Sequence, residues 1–244
     1  MTIGIEVAGL VALPFAILLL PMKLDLAAAL LAFGGGAAGG LGLIAFYRAM
    51  ALNLIGVVSP ITAVVAAAPP TAVGLLGGER LHAGQVAGIA AGLVAIALLN
   101  GGGRTATEGA RTAVGLAIVA GVGFGLFFIL FHAGSHAGVT AFLSGRLGSA
   151  SAASCFALIT RVSPVPRRNS WGLIALGGPL DGVGVVLYLY ATFHGLLSLS
   201  ALLTSFYPAF TVLCARVFIH ERLSSIQVAG VVLAIAAVAL IAGA

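Results

Sequence analysis

Arg146 and Asp181 lie well inside two apolar stretches, 139–161 and 171–193, joined by a short polar segment at 162–170. A charge at such depth in a hydrophobic segment costs at least about 2.5–3.5 kcal/mol on the most lenient insertion scale, so it needs a partner or a task. Counted from the joining segment, Asp181 is 11 residues in and Arg146 is 16. On antiparallel helices that difference is about 7.5 Å of rise, within reach of a long arginine side chain or one bridging water. Two readings stay open for the pair, beside a span boundary that would leave Arg146 in water. It fixes helix register as a buried ion pair, or it binds an anionic or zwitterionic substrate or relays a proton. Tyr188 and Tyr207 add hydroxyls that could line the same cavity, although tyrosines near span ends also serve as interfacial anchors. The candidate substrate-binding residues are therefore Arg146, Asp181, Tyr188 and Tyr207.

Other chemistry is thinner. His132 and His136 have the i,i+4 spacing of a metal pair but no third ligand nearby, so a hydrated pair is expected. His220-Glu221 does not continue into a zinc-protease motif, because Ser224 stands where the second histidine belongs. Gly145–Gly148 lacks the lysine of a phosphate loop. Neither a catalytic residue, a metal nor a cofactor is expected, and the chain does not read as an enzyme.

The elements that hold these residues follow from composition. Of 244 residues, 61% are apolar, 35 are glycine and only 7% are charged, against about 25% charged in a soluble domain. A mean hydropathy of +1.22 excludes a soluble globular protein and a disordered one, and no three-residue glycine period supports collagen. The partner of most of this surface must be the lipid bilayer. Nine apolar stretches, near 5–22, 26–47, 51–77, 83–100, 112–132, 139–161, 171–193, 196–218 and 225–243, are each continuously hydrophobic over about the 20 residues a membrane crossing takes. Barrel strands would alternate instead, so the expected fold class is an all-α, polytopic transmembrane helix bundle. No basic segment precedes residues 5–20, which read as a span rather than a signal peptide. A pI near 9.9 would suggest nucleic acid in a soluble chain. Here no basic run exists and the basic residues gather at span ends, so no nucleic-acid partner is expected.

Several finer expectations follow. Cys155 and Cys214 fall inside apolar spans and read as buried free thiols. Glu6, within a turn of the chain start, reads as interfacial. Arg48 and Arg216 close spans and can snorkel to head groups. Pro60, Pro69, Pro70, Pro179 and Pro208 read as interruptions that free carbonyls, with a purely mechanical kink as an equal alternative at each. Small residues recur four apart at Gly35/Gly39, Gly88/Gly92, Gly121/Gly125 and Gly178/Gly182, a spacing that lets helices pack closely within one bundle or across a homodimer seam.

An internal repeat organises the chain. Residues 79–88 read ERLHAGQVAG and residues 221–230 read ERLSSIQVAG, with seven of ten positions identical at an offset of 142. The two halves, 1–100 and 112–244, hold four and five spans, so the first lacks an opening helix. Two consecutive five-helix units must enter the membrane with opposite orientation, the inverted-repeat plan of many secondary transporters. The Glu-Arg pairs 79–80 and 221–222 read as loop caps, with a gate salt bridge as the sharper alternative.

The stretch LYLYATFHGLLSLSALLTSFYPAFTVLCARVFIHERLSSIQVAG at 187–230 and its counterpart FYRAMALNLIGVVSPITAVVAAAPPTAVGLLGGERLHAGQVAG at 46–88 resemble EamA-type units of the drug/metabolite transporter superfamily. The telling pieces are Ser59-Pro60, Tyr207-Pro208, the two Glu-Arg pairs, Gln85 and Gln227. The resemblance implies a ten-helix bundle of two inverted five-helix units in the cell membrane, carrying amino acids, other metabolites or drugs by alternating access. It differs here in the first helix, which would lie upstream of Met1 or be dispensed with. Competing classes are a channel and a non-transporting or truncated scaffold. By alternate loops, Lys23 and Arg80 fall on one side and Arg48, Arg104, Arg111, Arg161, Arg167, Arg168, Arg216 and Arg222 on the other. The positive-inside rule then puts the C-terminus outside, whereas the family plan implies a cytoplasmic one.

Overall fold

The computed structural model describes residues 2–52, 55–99, 110–161, 170–206 and 225–242. Among them every extended element is a helix: α1 (Thr2–Gly9), a 3-10 turn (Leu10–Ala12), α2 (Leu13–Leu19), α3 (Leu26–Met50), α4 (Ile55–Leu76), α5 (Ala83–Leu99), α6 (Ala110–Gly134), a 3-10 turn (Ser135–Ala137), α7 (Val139–Thr160), α8 (Trp171–His194), α9 (Leu197–Thr204) and α10 (Ser225–Ala242). Five segments are long and apolar enough to cross a membrane: Thr2–Leu19, Leu26–Met50, Arg111–Ala137, Val139–Thr160 and Trp171–His194. Ile61–Leu76, Ala83–Ala95 and Val228–Ala237 are shorter apolar helices. The fold is an all-α polytopic bundle, as the composition requires.

Helix boundaries have local causes. Pro14 stands in the first turn of α2 and has no N–H to give, so the helix tightens to a 3-10 turn between α1 and α2. Pro21 holds Leu20 extended (φ −113°, ψ 146°) and ends α2. Asp25 then caps α3, its Oδ1 accepting the Ala28 N–H at 3.1 Å. At the start of α5, Gln85 Oε1 reaches back to the His82 N–H at 3.0 Å, half of a capping box. This gives the repeated glutamine of the first QVAG motif a structural task. Gly138 opens α7 with φ +55°, pressed against the Pro21 carbonyl that accepts the Val139 N–H at 3.0 Å; a β-carbon has no room there.

The chain divides into two compact units, Met1–Ile44 with Leu126–Gly195 and Ala45–Gly125 with Leu196–Ala244. These are not the sequence halves. The first takes α1, α2 and most of α3 from one half and α7 and α8 from the other; the second takes α4 and α5 with α9 and α10. Corresponding helices of the two repeats thus end up in the same unit.

In the first unit α1 packs on α7 and α8, and α3 meets α7 where Gly36 and Gly40 face Gly145 and Ser149. In the second, α4 packs on α9, and the two QVAG-bearing helices α5 and α10 lie along one another. Its core gathers Ala63, Ala67, Ile89, Ala95, Leu202, Phe206 and Ala237. Interiors this rich in alanine and glycine bring backbones close, the main source of helix association where lipid is as apolar as leucine. Three of the four glycine pairs show it directly: Gly35 and Gly39 receive Phe131 and Phe127, Gly121 and Gly125 receive Val65 and Pro69, and Gly178 and Gly182 receive α1. Large residues such as Leu18, Leu76, Leu158 and Leu176 point outward, as a lipid-facing surface requires.

The prolines correct the expectation of broken helices. α4 runs unbroken through Pro60, Pro69 and Pro70, and α8 through Pro179. Proline at 69 and 70 leaves the carbonyls of Val65 and Ala66 without their helical donors. Both lie beside Gly125, where a β-carbon would come 3.3 Å from the Ala66 oxygen. The approach of α6 shields these carbonyls, and the helix continues.

Candidate functional site

Inside the first unit one arginine meets two carboxylates. Arg146 Nη1 donates to Glu6 Oε2 at 2.7 Å and to Asp181 Oδ2 at 2.6 Å. Ser149, nearly one turn beyond Arg146 on α7, donates its hydroxyl to Glu6 Oε1 at 2.7 Å. Three elements converge: α1 brings Glu6, α7 brings Arg146 and Ser149, and α8 brings Asp181. Their approach depends on glycine. A β-carbon at Gly9 would lie 2.9 Å from Arg146 Nη1 and 3.2 Å from the Gly178 carbonyl, so the guanidinium rests on bare backbone. Phe142, one turn earlier on α7, places its ring centroid 5.4 Å from the guanidinium carbon, a cation–π contact that adds to the cluster.

The cluster is asymmetric in exposure and in charge. The side chains of Arg146 and Glu6 are 5% and 9% exposed, while that of Asp181 is 46% exposed. Both Glu6 oxygens accept hydrogen bonds, whereas Asp181 accepts from Arg146 on one oxygen. On the arginine, Nη1 serves both carboxylates, and Nε and Nη2 are buried with no hydrogen-bond partner among the described residues. A buried donor left without an acceptor costs about 1–3 kcal/mol. Two carboxylates against one guanidinium also leave a formal charge of −1 when both are ionised. The arrangement therefore leaves spare donors at the buried arginine and a spare acceptor oxygen at the exposed aspartate.

The expected Arg146–Asp181 pair forms directly, without a bridging water. Glu6 corrects the sequence reading: it is buried within the protein rather than at its surface, because α1 packs on α7 and α8 and turns the residue toward Arg146. The signal available was that Glu6 is the one acid on an otherwise uncharged opening span. Ser149 gave none. Tyr188 is buried on α8 and spends its hydroxyl on the Phe128 carbonyl at 2.8 Å, with its ring against Phe127 and Phe128. Its hydroxyl and ring tie α8 to α6. Tyr207 lies outside the described residues, as do Glu221, Arg222, Pro208, Arg216 and Cys214.

Other candidates resolve as follows. His136 Nε2 sits 3.0 Å from Asp25 Oδ2. Among the described residues no group of three metal-ligating side chains occurs. Cys155 is free and exposed rather than buried, since it falls on the outward face of α7. Glu79, expected to cap its own loop, caps a distant helix. Its Oε1 accepts the Leu197 N–H at 2.6 Å, and its Oε2 accepts the Ser198 N–H at 3.3 Å together with the Ser198 hydroxyl. Sequence alone could not reveal an acceptor 118 residues away from its donor.

Residues 111–243 match the EamA-like transporter family, more than half of the chain. The chain belongs to that family. The match covers the segment that carries the second copy of the ERL and QVAG residues. A solved crystal structure of a protein shares the fold, with a TM-score of 0.70 over 98% of this chain and 83% of the other at 20% sequence identity. No curated protein matches the sequence. Membership makes the chain a membrane transporter of the drug/metabolite type.

Proposed function

We propose that this EamA-like protein is a secondary carrier of the cell membrane that moves small metabolites or drugs, amino acids among them, by alternating access between two inverted repeats. Arg146 carries the reading. Held by two carboxylates yet keeping Nε and Nη2 unspent, it is a costly group in a lipid setting, and intramembrane charge of this kind marks a substrate or ion path. Asp181, half-exposed at the edge of the cluster, is the side from which a ligand's positive group would arrive. The unpartnered guanidinium nitrogens would take an acceptor such as a carboxylate. Tyr188 positions α8, and Tyr207 remains a candidate lining residue from sequence.

The test is uptake. A panel of labelled amino acids and small cationic drugs is presented to proteoliposomes holding wild type, Asp181→Asn or Arg146→Gln at matched reconstitution. Saturable wild-type flux that falls at least about ten-fold in both variants supports the reading, a loss on the scale of one buried charged contact. Full flux in both variants removes the cluster from the substrate path, and ohmic conductance in place of saturable flux would mean a channel.

A further inference from the structure

Helix α9 begins without a cap of its own. Its N-cap position is Leu196, extended at φ −82° and ψ 139°, with no side-chain hydrogen bond. The first N–H groups of a helix need acceptors, and leucine cannot supply one. The acceptor comes from Glu79, in the turn between α4 and α5. One carboxylate takes the N–H groups of Leu197 and Ser198 and the Ser198 hydroxyl, and its negative charge faces the positive end of the helix dipole. The turn is shaped for this reach. Gly78 adopts φ +91°, the Glu79 N–H donates to the Gly74 carbonyl at 3.1 Å, and the carboxylate folds over Gly74, where a β-carbon would collide with it.

The location matters as much as the bond. The chain crosses between the two compact units three times. At Ile44–Ala45 and Gly125–Leu126 it does so inside the continuous helices α3 and α6. At Gly195–Leu196 it does so in extended, non-helical backbone, with Gly195 at φ −139° and ψ −170°. Glu79 grips the first two residues beyond that point.

We propose that Glu79 is a cross-repeat tie: it fixes the start of α9 to the α4–α5 turn, so that the first turn of α9 and that turn hold their places together. The tie goes beyond the carrier reading and is tested without any substrate.

The experiment is hydrogen exchange, read by mass spectrometry on the full chain in lipid nanodiscs. Glu79→Gln keeps the size of the side chain and removes its charge and one acceptor. Exchange should speed up about five- to thirty-fold, the range that loss of a charged cap implies, in both 196–204 and 77–82, with α7 unchanged. The double variant Glu79→Gln/Leu196→Asp gives α9 a local cap. It should restore slow exchange in 196–204 and leave 77–82 fast. If the single variant changes neither segment, or the double variant restores both, Glu79 is no tie and the proposal fails. Should Glu79→Gln unfold the chain, Ser198→Ala removes one of the three donors and should show acceleration in the same two segments at smaller amplitude; no change there overturns the proposal equally.

Discussion

The contact of α3 with α7 and that of α8 with α1 are built alike and used differently. Gly36 and Gly40 on α3 stand 142 residues before Gly178 and Gly182 on α8, the same offset that relates the two ERL and QVAG segments. Each pair accepts a neighbouring backbone where a β-carbon would collide: Gly145 and Ser149 for the first, Ile5, Ala8 and Gly9 for the second. Between the paired glycines the repeats diverge. Gly39 makes room for Phe127 on α6, whereas its equivalent Asp181 reaches Arg146. Close helix packing is present at both positions of the offset. The charge was placed once, on the α8 side.

The largest effect should come from removing that charge. Arg146→Met leaves Glu6 and Asp181 facing each other without a cation and should cost about 3–5 kcal/mol, the usual penalty for breaking a buried pair from one side. Reversible unfolding in mixed micelles measures it. The triple change Glu6→Gln, Arg146→Met and Asp181→Asn should recover most of the loss, because neutral groups carry no uncompensated charge. If Arg146→Met unfolds like wild type, the α8 side holds together by glycine packing alone and the contrast with α3 disappears.

The glycine seams sharpen the other half of the comparison. Gly36→Val and Gly178→Val should each destabilise by about 1–3 kcal/mol or more, since overpacking forces backbone apart. The two losses should agree to within about 1 kcal/mol if the seams are true equivalents, allowing for the context dependence of such terms. A large loss at one position with none at the other would break the equivalence.

How legible all this was in the sequence depends on the range of each cause. The all-α membrane fold and the Arg146–Asp181 pair could be read because hydropathy and depth along neighbouring helices are local quantities. Glu6 was misplaced because distance from the chain start says nothing about which helices α1 packs against. The Pro69-Pro70 pair suggested a break because the sequence shows the lost N–H groups but not the α6 glycine that shields the freed carbonyls. Glu79 was recognised as a cap, yet which helix it caps is a tertiary fact. Tyr188 was read for its hydroxyl, whose partner on α6 only packing reveals.

The smallest effect tests the comparison at its rim. Asp25, before α3, corresponds at the 142 offset to Arg167, so the repeats carry opposite charges at this position. Asp25 is exposed, and the His136 ring N–H followed by the Ala28 backbone N–H hold its carboxyl below the usual aspartate range. A carboxyl lowered in the folded state adds stability that is fully present above its unfolded pKa of about 4 and is lost as pH falls through the folded value. Wild type should therefore melt slightly above Asp25→Asn near neutral pH, and the gap should close on acidification below about pH 4. His136→Gln should lower the wild-type melting temperature and shrink that gap without abolishing it, because the Ala28 N–H still favours the ionised form. A gap that is constant with pH would show that Asp25 acts only through its uncharged capping oxygen, and the charge difference between the repeats at this position would then have no energetic consequence.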